Sequence, residues 1–112
     1  MAIIRSRPSE RIINGNVIKS SENAIVSDSA FRTRGEFLVV IKQTPSCTVT
    51  LDHSTTDHII IKALTKVLIL PSIGKIDEEF DEVNIDKGAC VEFMYASGNW
   101  YIVSSDGLKL NQ

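Results

Sequence analysis

What this chain lacks narrows its function first. After Arg34 there is no arginine, and in all 112 residues there is no CxxC pair, no GxSxG and no GxGxxG. Without paired thiols neither a zinc ribbon nor a thioredoxin-like dithiol can form. Without the glycine-rich and serine-elbow motifs, a phosphate loop, a dinucleotide site or a hydrolase nucleophile has no recognisable seat. Long apolar runs are absent too. Phe37 to Ile41 and Val67 to Leu70 are the longest, far below the ~20 residues a membrane helix needs. The N-terminus, with Arg5, Pro8 and Glu10 close behind Met1, does not read as a secretory signal. The expectation is a chain made and used without export, not an enzyme, with no cofactor and no metal.

Cys47 and Cys90 have no partner nearby in sequence and read as reduced, buried thiols. Two Asp-His pairs, Asp52-His53 and Asp57-His58, flank a Ser-Thr-Thr turn. No third or fourth ligand is placed by spacing, so they read as exposed turn histidines rather than a metal site. The acidic run Asp77 to Glu82 lacks the alternating ligands and central glycine of a calcium loop. It reads as a solvated loop.

What is present divides the chain. Residues 1–35 carry six cations against three acids, and residues 36–112 carry six lysines against eleven acids. The acidic balance of the larger part disfavours nucleic acid as its partner. Residues 1–35 read as an extended basic arm. Short apolar pieces (Ile3-Ile4, Ile12-Ile13, Val17-Ile18, Ala24 to Val26) recur between Pro8, Asn14-Gly15-Asn16 and the Ser-rich Ser20 to Ser29. Such spacing suits a segment laid across another surface. Its candidate contacts are Arg5, Arg7, Arg11, Arg32 and Arg34, whose planar guanidinium suits a carboxylate or phosphate partner, with Ile12, Ile13, Ile25 and Val26 as apolar anchors.

Residues 36–112 read as an all-β domain, an antiparallel sandwich, jelly roll or barrel of about seven short strands. They are Glu36–Lys42, Thr48–Asp52, His58–Leu64, Lys66–Leu70, Glu82–Ile85, Ala89–Ala96 and Asn99–Ser104. The last two form a hairpin about Ser97-Gly98. Trp100, Phe93, Val91, Ile61, Val67 and Ile69 are the predicted core. Several strands are apolar on both faces, which one small core cannot use, so an oligomer is expected.

From Ile59 to Gly107 the order of elements is distinctive. Ile59 to Pro71 is followed by Gly74-Lys75-Ile76-Asp77, Val83-Asn84-Ile85, Gly88-Ala89-Cys90-Val91-Glu92-Phe93 and Ser97-Gly98-Asn99-Trp100-Tyr101-Ile102-Val103. Over residues 48–107 this resembles β modules of tailed-bacteriophage virion proteins, in head fibres, tail fibres and capsid decoration proteins. The resemblance implies a homotrimer within a virion assembled in the host cytoplasm. There the Ile-Asp and Gly-Asn-Trp-Tyr elements serve as turn and core, not as catalytic residues. A short basic arm in place of a long fibre shaft then favours a capsid decoration (cement) protein, its arm binding the major capsid protein or another virion protein. A tail-fibre or tail-adaptor module that binds a receptor is the alternative, with Trp100 and Tyr101, beside Asn99 and Asp106, as a sugar platform.

Overall fold

The structure is a computed structural model that describes residues 10–13, 16–19, 23–42 and 46–109, with side chains for 23–42 and 46–108. It is all-β: ten strands and, among the described residues, no helix. β1 (Glu10–Ile13) and β2 (Asn16–Lys19) pair antiparallel as a two-stranded sheet of their own. The other eight form one nearly closed, barrel-like sheet: β3 (Asn23–Val26), β4 (Ala30–Arg32), β5 (Leu38–Ile41), β6 (Cys47–Leu51), β7 (His58–Ala63), β8 (Val67–Pro71), β9 (Val83–Ala96) and β10 (Asn99–Lys109).

The chain reaches this sheet by winding. β3, β5 and β7 pair in parallel as one ladder, and β4, β6 and β8 pair in parallel as a second. Successive strands alternate between the ladders, so each pair of strands makes one coil round a shared interior. A parallel neighbour must arrive by a crossover, and here the crossover is the strand on the opposite ladder. This differs from the antiparallel pairing expected from the sequence. It also brings residues 23–32 into the same sheet as the strands after Glu36, so the sheet begins within the stretch read as an arm.

β9 joins the two ladders. Its first residues pair antiparallel with β8 (Ile69↔Val83 to Val67↔Ile85), and its later ones with β7 (Lys62↔Cys90 to His58↔Met94). What the sequence suggests as two strands either side of Asp86 to Gly88 is one strand, with Gly88 at φ +95° between the two pairings. β10 covers the other edge of β9. Its turn, Ser97 at φ 50° and Gly98 at φ 89°, has the positive φ at both centres that a two-residue type I′ hairpin requires.

Inward positions alternate cleanly. Val39 and Ile41, Val49 and Leu51, Ile59 and Ile61, Val67 and Ile69, Val83 and Ile85, Val91 and Phe93, and Trp100 are buried, joined by Val26 from β3. All six predicted core residues are among them. Each such aliphatic or aromatic side chain stabilises by about 1.5–3 kcal/mol on burial.

The turns at Gly74 to Glu78 and Ser97 to Ile102 meet in one clamp. Lys75 N donates to Asn99 Oδ1 (2.8 Å), Trp100 N to the Lys75 carbonyl (2.9 Å) and Asp77 N to the Trp100 carbonyl (2.8 Å). Ile102 N donates to Asp77 Oδ1 (3.0 Å). Asp77 and Glu78 both take positive φ in the turn that carries the Glu79 N to Ile76 carbonyl bond (3.1 Å). A Cβ on Gly74 would stand 1.9 Å from the Gly98 carbonyl oxygen. Only glycine lets these two turns touch.

Candidate attachment surface

The residues singled out for attachment fall into three groups. Arg5 and Arg7 lie outside the described residues. Arg11, Ile12 and Ile13 are on β1, paired with Ile18, Val17 and Asn16, and their side chains lie outside the description. Ile25, Val26, Arg32 and Arg34 are fully described, and they do not share one role.

Ile25 and Val26 sit on opposite faces of β3, as neighbours on a strand must. Ile25 is 69% exposed, while Val26 is 5% exposed and belongs to the protein's own core. Val26 therefore has almost no surface to offer a partner. Its burial follows from β3 joining the sheet, which two-residue apolar pieces separated by polar ones do not advertise.

Arg32 ends β4 and Arg34 lies in the corner leading to β5. Arg32 Nε donates to Asp52 Oδ2 at 2.8 Å, and its side chain is 59% exposed. Arg34 lies over the Phe31 ring (5.8 Å to its centroid), with Nε 3.9 Å from Glu36 Oε2. The corner beneath is hydrogen-bonded and largely dry. Thr33 N donates to the Thr50 carbonyl (3.0 Å), Asp52 N to Thr33 Oγ1 (2.8 Å), and Gly35 N to Thr56 Oγ1 (2.8 Å). Arg34 N donates to Glu36 Oε1 (2.7 Å). Thr33, Glu36 and Thr56 are buried, and each takes part in at least one of these bonds, as buried polar groups require. The two guanidinium groups are thus presented from a rigid corner. Burial pushes the Asp52 carboxyl up, but the bonds from Ser54 and the Arg32 guanidinium outweigh it and hold it below its ordinary value.

The two histidines do not converge. His53 stacks on Tyr95 (centroids 5.0 Å apart), which meets Trp100 edge-on at 5.4 Å. His58 Nε2 pairs with Glu92 Oε2 at 2.5 Å and meets the Phe37 ring edge-on. Both are half-buried rather than exposed turn residues. No cluster of three or more metal-ligating side chains occurs among the described residues. Glu92, bonded by His58 and Ser104 Oγ (3.0 Å), is held below the ordinary carboxylate range by these bonds, the His58 bond first. That pair was not legible in the sequence, because its members are 34 positions apart.

The acidic run is a built turn rather than free loop. Lys75 Nζ pairs with Asp81 Oδ1 (2.6 Å) and Tyr101 Oη donates to Glu78 Oε2 (2.6 Å). Trp100 is fully buried, so a sugar platform at this end would rest on Tyr101 alone. Cys47 and Cys90 are free thiols, and burial pushes both up, away from thiolate reactivity. No family model matches the sequence, and no curated protein matches it.

Proposed function

We propose that this chain is a structural protein of a tailed-bacteriophage virion, a homotrimeric capsid decoration protein held to the shell by its N-terminal segment. The observation that carries the reading is the clamp between Gly74 to Asp77 and Gly98 to Ile102. The residues of the virion-module resemblance are those whose backbones lock the two turns together, with Trp100 as core beneath them. They close a small coiled β body, which agrees with the structural role that the resemblance gives these elements. Attachment falls to the basic residues: Arg11 on β1, with Arg32 and Arg34 on the rigid corner, joined by Arg5 and Arg7. Arginines facing the carboxylates of an acidic shell form charge-assisted pairs, and their number compensates for the small return from each exposed pair. Binding across subunit boundaries would then stabilise the shell by mass action.

The test is co-sedimentation of purified protein with emptied heads of the phage that carries it. The cut that removes the arm must fall before Asn23, since starting at Glu36 would strip β3 and β4 from the sheet. The full chain should pellet with heads, and a chain lacking residues 1–19 should bind at least tenfold more weakly. Binding by neither would remove the decoration role, and equal binding by both would move attachment from the arm to the body. Binding to tails instead of heads would favour the adaptor alternative.

A further inference from the structure

The two ladders differ on their outer faces. On β3, β5, β7 and β9, outward residues form cross-strand rows: Asn23–Leu38–Ile60–Glu92 and Ile25–Val40–Lys62–Cys90, with His58 opposite Met94. Ile25 is 69% exposed and Met94 44% exposed, and half-buried Leu38, Val40 and Ile60 connect them. The second ladder turns outward Ala30, Arg32, Thr48 and Thr50 beside Leu68 and Leu70. Contiguous exposed apolar surface on a small protein marks an interaction site.

Charge on the first face identifies its occupant. Its two rows hold Lys62, whose Nζ donates to the Gly88 carbonyl (2.9 Å), and, one row away, Glu92 with His58 against it, while Asp106 of β10 stands opposite Cys90 at the edge of the Lys62 row. A face with both signs beside an aliphatic centre can be set head-to-tail round a threefold axis, Lys62 of each copy meeting Glu92 of the next. A uniformly acidic shell would leave Glu92 repelled, and a basic surface would leave Lys62 repelled.

We propose that the outer face of β3-β5-β7-β9 is where copies of this chain pack together, Ile25, Val40 and Ile60 at the centre and the Lys62–Glu92 pairing setting the register. This rests on the homomeric half of the function proposed above and is independent of the capsid half. It also divides labour within the molecule: the apolar face serves self-association, leaving the arginine corner and N-terminal segment for the shell.

The experiment is light scattering on the full chain over a hundredfold range of concentration, with circular dichroism and thermal unfolding as the check on folding. The unaltered chain should be oligomeric. I25K/V40K should shift it to a folded monomer, while T48K/T50K, at outward positions of the other ladder, should leave the mass unchanged. Should I25K/V40K not fold, M94K at a 44% exposed site carries the test, with association weakened at least tenfold. A monomeric unaltered chain, a folded I25K/V40K or M94K protein that keeps its mass and affinity, or equal loss in T48K/T50K would overturn the proposal. Head binding is read separately. An oligomer that fails to bind heads sinks the decoration role and leaves this interface standing.

Discussion

The two parallel ladders are close to copies of each other seen from inside and quite different seen from outside. Inward, Val39, Ile41, Ile59 and Ile61 of the first answer Val49, Leu51, Val67 and Ile69 of the second, all buried. Outward, one ladder shows Ile25, Leu38, Val40 and Ile60 with Asn23, His58 and Lys62 round them, and the other shows Thr48, Thr50 and Arg32 beside Leu68 and Leu70. The interior of a coil constrains every strand alike, because each must cover the same core. The exterior is free to vary, and that is where a role can be written without disturbing the fold.

The largest loss is expected outside the ladders, at the clamp between the β8–β9 connection and the β9–β10 turn. Gly74→Ala should cost about 3 kcal/mol or more, combining left-handed strain at φ +81° with a Cβ placed 1.9 Å from the Gly98 oxygen. Urea unfolding measures this, and a loss under about 1 kcal/mol would mean that the two turns separate easily. Next come the matched inward positions. Ile61→Ala and Ile69→Ala should each cost about 2–5 kcal/mol, and by similar amounts, since both are fully buried at equivalent places. A large inequality would show that one ladder carries the core and the other merely lines it.

Acid should act on both ladders at smaller cost. Asp52 and Glu92 have folded-state pKa values below their ordinary ones, so the stability they contribute is complete above the unfolded-chain values, roughly pH 4, and is lost as pH falls through the folded values. Comparing unfolding midpoints at pH 6 and pH 3 for the parent, D52N and E92Q should show each variant about 1 kcal/mol less stable at pH 6, with the gap to the parent narrowing towards pH 3. A gap that does not narrow would assign the effect to packing instead. Smallest of all, Arg32→Ala should change stability by about 0.5 kcal/mol or less, since its pair with Asp52 is largely solvated. A larger loss would mean the arginine is part of the corner rather than available to a partner.

Much of this was legible in the sequence, for physical reasons that also explain what was not. β6, β7, β8 and the hairpin at Ser97-Gly98 stand out because β-branched runs are bounded by residues that accept turns. Trp100 and Phe93 read as core because nothing else that large could be left exposed. The parallel winding was invisible, because period-two alternation is the same in parallel and antiparallel strands. β3 and β4 escaped because Asn23, Ala30 and Arg32 dilute their apolar signal, and their place is set by partners on β5 and β6. For that reason Val26 looked like an anchor for another protein when it is part of this one's core. Asp86 to Gly88 looked like a turn because glycine and charge mark turns, yet β9 runs through them to reach both ladders.

The central claim, that the coiled body assembles with itself while the N-terminal segment serves attachment, is tested most directly by solution mass. Light scattering on the full chain and on a chain lacking residues 1–19 should give the same number of subunits, three. If removing residues 1–19 leaves folded monomers, the segment holds the copies together, and the division of roles between the body and the arm is wrong.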